Sequence, residues 1–246
     1  MTDQTFTFPK FYVTMPNPCP YLAGKVERKI FTELAGANPP ALNEALSQAG
    51  FRRSQSVAYR PACEGCNACV SVRVRAGDFT WSRGRRRVVA RNRDLVTTEA
   101  PPWATSEQYE LLKRYLSARH PGGGMSEMSI VDYAEMVETS PVETHLVEYR
   151  LPADDPSPLA AGKLIAVALM DVLSDGLSMV YSFYDPAIER RSLGTYLILH
   201  QVERAVAAAK PYVYLGYLVA GSPKMGYKAR FRPLEQLTAT GWAELP

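Results

Sequence analysis

The sequence predicts an α/β protein whose main sheet is mixed and largely antiparallel, and three observations carry that prediction. Three segments with strand character follow one another, at 145–150, 163–170 and 178–184. Asp175 and Gly176 lie between the second and third segments, where they favour a hairpin turn. An amphipathic helix over 192–210 then leads to a further strand at 212–217, an order that favours a helix packed on the sheet.

The first part of the chain, 1–100, predicts a smaller domain rich in cysteine and arginine. Gly24–Leu34 is expected to form a short helix. A second helix is expected to begin at Pro39 and Pro40 and to end at Gly50, a typical C-terminal glycine. The alternation of valine with serine and arginine in VSVRVR predicts a strand, and WSRGRRRVVARNRDL predicts a basic helix.

Pro101 and Pro102 mark the expected boundary to a second domain, 101–246. Its first helix is predicted over 105–119, because Thr105 and Gln108 have the spacing of a capping box. A second helix should begin at Ser129 and run to Val137. Between the two, HPGGGM either lets the backbone approach a ligand closely or simply breaks the helix.

The net charge of +3 conceals an uneven distribution along the 246 residues. Residues 52–93 contain eleven arginines, no lysine and two acidic residues, so this block carries +9 and the remainder −6. Arginine binds phosphate in a planar, bidentate geometry, so the block predicts a nucleic-acid partner. The alternative is a solvated basic helix without a partner.

Composition also limits the class of protein. The longest apolar stretch, Leu164–Met170, is far shorter than the ~20 residues of a membrane span. The N-terminus lacks the basic start and apolar block of a secretory signal. We therefore expect a cytoplasmic protein without a membrane partner, whose cysteines are reduced thiols or metal ligands.

The cysteines form the most conspicuous local motif. Cys63, Cys66 and Cys69 have two residues between each consecutive pair, and Cys19 completes a set of four. Thiols at this spacing can converge on one zinc ion or an iron–sulfur cluster, which the sequence does not separate. The alternative is that they pack as small apolar side chains.

A second motif joins the strand at 178–184 to the long helix. The strand ends at Asp185, and a turn with Arg190, Arg191 and Gly194 leads into the helix. Backbone amides at a helix N-terminus with nearby arginines favour an anion such as a phosphate. This turn resembles the phosphate-binding turn of GNAT-type acyltransferases.

Five motifs together resemble the arginyl-tRNA–protein transferase family along nearly the whole chain: CPYLAGKVERKIFTEL, GFRRSQSVAYRPACEGCNACVSVRV, RHPGGGM, YSFYDP with RRSLGTY, and YLGYLVAGSPKMGYKARFRPLE. The length and the single CxxCxxC motif are similar to the bacterial branch, the aspartate/glutamate leucyltransferases. The resemblance implies a GNAT-like C-terminal domain that moves leucine from leucyl-tRNA to proteins beginning with Asp or Glu, marking them for N-end-rule degradation. We expect a monomer that needs no cofactor for transfer.

That chemistry assigns expected roles to residues. Asp185 is the candidate that holds or deprotonates the acceptor amine, and Tyr181 and Tyr184 are candidate hydroxyl donors. Strict alternation would place Met179, Tyr181 and Phe183 on one face of the strand. His120 and His200 are further candidate bases, with His200 expected on the surface. Arg190, Arg191 and Gly194 of the turn are expected to bind the acidic acceptor or the tRNA. Five further basic residues are expected to share this role: Arg60, Arg73, Lys224, Lys228 and Arg230.

Three other functions stay open at this point. Arginyl transfer to the same acceptors differs only in the donor pocket, which would be acidic instead of apolar. A non-catalytic RNA-binding metal module would not need the strand–turn–helix after Asp185. An acetyl-CoA-dependent acetyltransferase would not need the arginine block. The basic segment SPKMGYKARF is either an exposed edge strand or part of the tRNA contact.

Overall fold

A computed structural model describes residues 9–154 and 161–246, so the first eight residues of the predicted N-terminal domain lie outside it. Within these ranges the chain forms fourteen strands, in chain order: β1 (Tyr12–Val13), β2 (Asn17–Pro18), β3 (Val26–Glu27), β4 (Lys29–Glu33), β5 (Arg52–Ser54), β6 (Val57–Pro61), β7 (Cys69–Arg75), β8 (Val96–Ala100), β9 (Thr144–Arg150), β10 (Leu164–Val172), β11 (Gly176–Tyr184), β12 (Tyr212–Val219), β13 (Leu234–Thr238) and β14 (Gly241–Glu244).

The described ranges also form five α-helices: α1 (Pro39–Gln48), α2 (Arg83–Arg91), α3 (Ser106–Arg119), α4 (Ile130–Glu138) and α5 (Leu193–Ala207). The capping box at Thr105 and Gln108 is confirmed, because each side chain bonds the other residue's backbone N–H. Ser129 and Asp132 form an equivalent box at α4. These caps satisfy amide groups that a helix start leaves without partners.

Eight strands form the main sheet, in the spatial order β14-β13-β7-β12-β11-β10-β9-β8. Neighbours in this sheet run antiparallel except β11 and β12, which run parallel. A separate four-stranded sheet has the order β1-β4-β6-β5, and β2 pairs with β3. The predicted class, α/β with a mixed and largely antiparallel sheet, is confirmed, as is the hairpin between β10 and β11.

Helices cover both faces of the main sheet. On one face, α5 buries residues such as Leu197 and Val202 in the larger core, against which Val88 and Val89 of α2 also pack. On the other face, α3 buries Leu111 in a second core that it shares with α4. The apolar stripe of each helix is therefore matched to one surface of the sheet, as in three-layer α/β proteins.

The predicted boundary near residue 100 divides the sequence but not the sheet. Strand β7 comes before that boundary, and it lies between β12 and β13 in the main sheet. The cysteine- and arginine-rich part of the chain therefore contributes an internal strand to the same sheet as the C-terminal part.

A buried ion pair joins the small sheet to the main one. The guanidinium of Arg53 on β5 donates to both carboxylate oxygens of Asp171 on β10, each at 2.6 Å. Thr144 donates a third hydrogen bond to Asp171 at 2.7 Å. Both charged side chains are 1% exposed. The complete set of hydrogen bonds compensates for the loss of water around the two charges.

Two sequence predictions of local structure are wrong. Gly24–Leu34, expected to be helical, contains β3 and β4 instead, and β4 pairs with both β1 and β6. The segment SPKMGYKARF is not an edge strand, since Gly226–Arg230 forms a 3-10 helix. Both segments are short, and their structure is decided by the strands and side chains against which they lie.

Strand β11 also departs from the expected alternation. Its register against β10 is shifted between Leu169 and Met170, which pair with Tyr181 and Met179 and leave Val180 as an extra residue. This bulge puts Met179 in the core beneath α5, whereas Tyr181 and Phe183 face the core beneath α3 and α4. A bulge reverses the side-chain alternation of every later residue.

Among the helices of the described ranges, none combines the length and the apolar character required to cross a membrane.

Candidate active site

The centre of the candidate site is a gap between the two parallel strands of the main sheet. β11 and β12 are paired only from Gly176 to Ser178 and from Tyr212 to Tyr214, and they diverge beyond these residues. The side chain of Arg52 on β5 enters the gap, where its Nη2 donates to the backbone carbonyls of Met179 and Val180 at 3.3 and 2.9 Å. Arg52 thus replaces hydrogen bonds that β12 no longer supplies to β11.

Gly216 on β12 makes room for this side chain. A Cβ atom at Gly216 would lie 2.4 Å from the Arg52 guanidinium carbon, which is far inside van der Waals contact. Gly216 also has a φ of +72°, a left-handed conformation that favours glycine. Steric and conformational requirements therefore coincide at this position.

Lys228 lines the gap from the side of β12. It lies on the 3-10 helix Gly226–Arg230, and its Nζ donates to the carbonyl of Tyr217 at 2.8 Å. The residue is only 6% exposed. Burial and the nearby charge of Arg52 hold the pKa of Lys228 well below its usual range. In the described part of the chain, neither Lys228 nor Arg52 has a carboxylate partner.

Five tyrosines lie within electrostatic reach of Arg52 or of one another near this gap: Tyr21, Tyr115, Tyr181, Tyr184 and Tyr227. We call the space between them the tyrosine cleft. Their hydroxyl groups have no hydrogen-bond partner among the described residues. The rings of Tyr115 and Tyr184 are in edge contact, with centroids 5.0 Å apart. Burial raises the pKa of Tyr181 to about 12, so its phenol is neutral near pH 7 and can donate a hydrogen bond.

Other basic residues lie around the tyrosine cleft. Arg119 lies over the ring of Tyr184, at 5.8 Å from its centroid. His120 packs beside Tyr115, with ring centroids 5.5 Å apart. Burial and the charges of Lys224 and Arg119 lower the pKa of His120, so its imidazole is neutral near pH 7. The cleft combines net positive charge with neutral hydrogen-bond donors and one neutral base.

Asp185 lies at the end of β11 but does not present a free carboxylate. Lys163 Nζ donates to it at 2.8 Å, the Ala187 N–H donates at 3.0 Å, and Arg114 approaches to 4.0 Å. Burial alone would raise the pKa of Asp185, but these hydrogen bonds and positive charges bring it below its usual range. Asp185 is therefore a weak base held in place by its partners, and it positions the turn after β11.

The predicted anion-binding turn is used partly for internal contacts. Arg191 donates to both carboxylate oxygens of Asp94 at 2.8 and 2.7 Å, so its guanidinium is directed toward the end of α2. Arg190 is exposed. Gly194 packs against Tyr184, since a Cβ there would lie 3.1 Å from its ring. No side chain caps the start of α5.

The predicted substrate-binding residues separate into different environments. Arg73 is buried, paired with Glu235 at 2.8 Å and stacked on the ring of Tyr212 at 3.5 Å. These contacts engage the Arg73 guanidinium with internal partners, and its expected role in substrate binding stays a prediction. Arg230 is exposed at the last position of the 3-10 helix, and Arg60 is exposed over the ring of Phe51.

His200 is not a free surface base. Its Nδ1 is 2.8 Å from the hydroxyl of Tyr149, and its ring stacks on Tyr196. Burial, together with the charge of Arg204, lowers the pKa of His200 to about 4. The expectation of an exposed His200 is therefore wrong, because its ring packs against Tyr149 of β9 and Tyr196 of α5.

The four cysteines line one cavity of about 480 Å³. Burial and the other three thiols raise the pKa of Cys69 to about 11. The Sγ of Cys63 accepts a hydrogen bond from the Arg28 N–H at 3.4 Å. Within the described ranges, no group of three or more His, Cys, Asp or Glu side chains is placed to hold a metal ion. The donor set suits zinc or an iron–sulfur cluster, and that assignment stays a prediction.

The cysteine cavity adjoins the tyrosine cleft through one side chain. Tyr21 lines the cavity, and its phenol also acts electrostatically on Tyr181 in the cleft. The sequence motifs found Tyr181, Tyr184 and Lys228 but missed Arg52 and Tyr115. Arg52 was one of eleven arginines, and Tyr115 lay in an ordinary amphipathic helix, so nothing local distinguished them.

Comparisons with known proteins agree over the whole chain. The family described as arginine-tRNA-protein transferase matches with its N-terminal part at residues 17–87 and its C-terminal part at residues 107–238. A relative from Parvibaculum lavamentivorans, named aspartate/glutamate leucyltransferase, is 58% identical over 100% of this chain and 99% of its own length. A relative of the same name from Rhizorhabdus wittichii is 56% identical over 98% and 90%.

Among solved structures, L-PGS from Bacillus licheniformis is similar with a TM-score of 0.46 and 12% identity. The similarity covers 61% of this chain and 45% of that protein.

The ion pairs of Asp185 give a testable stability prediction. Asp185→Asn should lower the free energy of unfolding by about 1–2 kcal/mol at neutral pH, since it weakens hydrogen bonds to a charged group whose partner Lys163 is partly solvated. The pKa of Asp185 is lowered from its ordinary 3.8, so the stabilisation is complete above that value. It is lost as the pH falls through the folded-state pKa.

Urea unfolding of both proteins between pH 7 and pH 3 measures this. The difference should be constant down to about pH 5 and should shrink below the ordinary value of 3.8. Asp78→Asn, at an ion pair whose carboxylate is 68% exposed, is the matched control and should change stability by less than about 0.5 kcal/mol. Equal stability of wild type and Asp185→Asn at pH 7 would refute the assignment.

Proposed function

The chain belongs to the arginine-tRNA-protein transferase family, and from this premise we propose that it transfers leucine from leucyl-tRNA to proteins beginning with Asp or Glu. The product would carry an N-terminal leucine that marks it for N-end-rule degradation. The observation that carries the proposal is a positively charged cleft lined with neutral phenols in a chain of this family. Relatives 54–58% identical over nearly the whole chain share the leucyltransferase name, which favours leucine over arginine as the donor.

Aminoacyl transfer requires the enzyme mainly to position its two substrates. The aminoacyl ester is already activated, so neither nucleotide hydrolysis nor a covalent intermediate is needed. An α-amine has a pKa near 8, so roughly a tenth of it is neutral at pH 7. Orientation of the amine and stabilisation of the tetrahedral oxyanion should therefore dominate the rate.

The described side chains match these requirements. Among the described residues the hydroxyls of Tyr181 and Tyr184 have no hydrogen-bond partner, so they can donate to the oxyanion. His120, neutral near pH 7, can take the proton that the amine releases and pass it to the ribose oxygen of the tRNA, so that the new amide bond forms as the ester bond breaks. Asp185 supports this arrangement as a positioning residue, because its carboxylate is engaged by Lys163.

The gap between β11 and β12 argues against an acyl-CoA donor. Two diverging parallel strands expose backbone groups with which an extended ligand could pair. Here Arg52 occupies that place and bonds the carbonyls of Met179 and Val180. An extended ligand would have to displace a guanidinium from the interior of the sheet.

The basic helix α2 provides the proposed contact with tRNA. Arg83 and Arg87 on α2 and Arg93 just after it are exposed, and their guanidinium groups form no hydrogen bond or ion pair with another described side chain. Arg191 bonds the carbonyl of Arg91 at 3.1 Å, so the end of α2 adjoins the turn that leads to the cleft. This surface continues from the arginines to the cleft where the aminoacyl end would bind. We further propose a cytoplasmic monomer.

Donor and acceptor specificity test the central proposal. Purified protein is incubated with labelled leucyl-tRNA or arginyl-tRNA and with peptides that begin with Asp, Glu or Ala. We expect transfer from leucyl-tRNA, with kcat/KM at least about 100-fold higher for Asp and Glu than for Ala. Preference for arginyl-tRNA would replace the donor assignment, and no transfer from either donor would refute the function.

Salt dependence tests the tRNA surface. Replacing Arg83, Arg87 and Arg93 together by glutamine should weaken leucyl-tRNA binding roughly 10- to 100-fold at 0.1 M salt. The slope of log affinity against log salt should fall by about two to three, since each phosphate contact contributes about 0.7–0.9. Arg75→Gln, whose side chain already pairs with Glu244, is the control. An unchanged slope in the triple variant would place the tRNA elsewhere.

Metal removal tests whether transfer needs a cofactor. We expect treatment with a chelator to change kcat by less than about twofold, because the ester is already activated. Metal and sulfide analysis of the same sample determines whether the cysteine cavity binds zinc or an iron–sulfur cluster. Loss of activity that added zinc or iron restores would contradict the expectation.

A further inference from the structure

Two cations face each other across the gap between β11 and β12, and the proposed catalytic steps use neither of them. Arg52 is fixed to the carbonyls of β11, and Lys228 is fixed to the carbonyl of Tyr217 on β12. The charge of Arg52 acts directly on Lys228. Two basic side chains, each bonded to backbone carbonyls of a different strand, thus lie within electrostatic reach of each other at the gap.

This arrangement is unfavourable in the free protein. Buried charges are ordinarily paired with an opposite charge, because taking them out of water costs free energy. Arg53, the residue after Arg52, follows that rule with Asp171. Within the described ranges, Arg52 and Lys228 have only carbonyl and aromatic partners. An anion placed between them would supply the missing countercharge.

We propose that Arg52 and Lys228 bind the side-chain carboxylate of the acceptor's first residue and thereby select Asp or Glu. This inference rests on the proposed function. A carboxylate at the end of one or two methylene groups can enter a narrow gap. A phosphate within an RNA chain is joined to a nucleoside on each side. Such a bulky group would reach Lys228, which is only 6% exposed, less easily than a carboxylate would.

The position also suits the reaction. Tyr227 lies between Arg52 in the gap and Tyr184 in the tyrosine cleft, since its phenol interacts electrostatically with both side chains. A carboxylate held in the gap would leave the α-amine of the same residue close to the phenols of the cleft. Asp and Glu differ by one methylene group, and two cations approaching from different directions can bind either length.

Substitution of Lys228 by methionine tests the inference. Methionine has a similar length without the charge, but it leaves the Tyr217 carbonyl without its donor, so Lys228→Met should lower the melting temperature modestly and keep a single cooperative unfolding transition. We expect KM for a peptide beginning with Asp to rise roughly 10- to 100-fold, the effect of losing a charged hydrogen bond. The preference for Asp over Asn should fall by the same factor, and the Kd for leucyl-tRNA should stay within about twofold.

Two further variants sharpen the test. Arg52→Lys keeps the positive charge, but an ammonium group cannot donate to the carbonyls of Met179 and Val180 and to a bound carboxylate at the same time. This variant should therefore also reduce the preference for Asp over Asn. Lys10→Met removes an exposed lysine far along the sequence from the gap and should change neither KM nor tRNA affinity.

The outcomes separate this inference from the proposed function. An intact preference for Asp over Asn in Lys228→Met would overturn the inference. Weaker tRNA binding with an unchanged peptide KM would overturn it too, because the gap would then bind an RNA phosphate. Failure of the wild type to modify any acidic peptide would instead refute the proposed function.

Discussion

Strands β11 and β12 diverge after three paired residues each, and this divergence determines which side chains complete the centre of the main sheet. A parallel pair that ends after Ser178 leaves backbone carbonyls inside the protein without partners from a strand. Such groups have to be bonded, and here side chains bond them. Arg52 donates to the carbonyl of Val180 on β11, and Lys228 donates to the carbonyl of Tyr217 on β12. The same cations that complete the sheet therefore supply the positive charge at its centre.

The position of Arg52 depends in turn on its neighbour. Successive side chains of a strand point to opposite faces, so Arg52 enters the gap only if Arg53 points the other way. The buried pair of Arg53 and Asp171 fixes this choice, since a shift of one residue would exchange the two arginines. Buried ion pairs contribute little net stability compared with apolar packing, but they discriminate strongly between registers. In this protein the ion pair specifies how the N-terminal sheet docks.

The sequence was sufficient for elements with local signals. The capping boxes at Thr105 and Ser129, the hairpin after β10 and the long α5 follow from residue type and spacing alone. The prediction of a helix at Gly24–Leu34 was wrong because the backbone of β4 pairs with β1 and β6. A local sequence pattern does not include these two strands. The bulge at Val180 has no sequence signature, yet it decides which face Met179 occupies.

Some candidate site residues were likewise predictable from local sequence, whereas others depend on contacts between distant segments. Tyr181, Tyr184 and Asp185 were found because they follow one another at the end of a recognisable strand. The ion pairs that make Asp185 a weak base come from Lys163 and Arg114, which the sequence places 22 and 71 positions away. Arg52 gained its role from a gap between two strands, and no count of arginines could separate it from the ten others in its block.

The unbalanced positive charge has a consequence for the proposed reaction itself. His120 reports the electrostatic potential near the cleft, because the charges of Lys224 and Arg119 add to burial in lowering its pKa. The same potential would act on a bound α-amine and would disfavour its protonated form. The neutral, nucleophilic fraction of the acceptor would then exceed the roughly one tenth expected in water at pH 7. Lys224 and Arg119 beside the cleft would thus favour the neutral amine, and the site would need no strong base such as an unpaired aspartate.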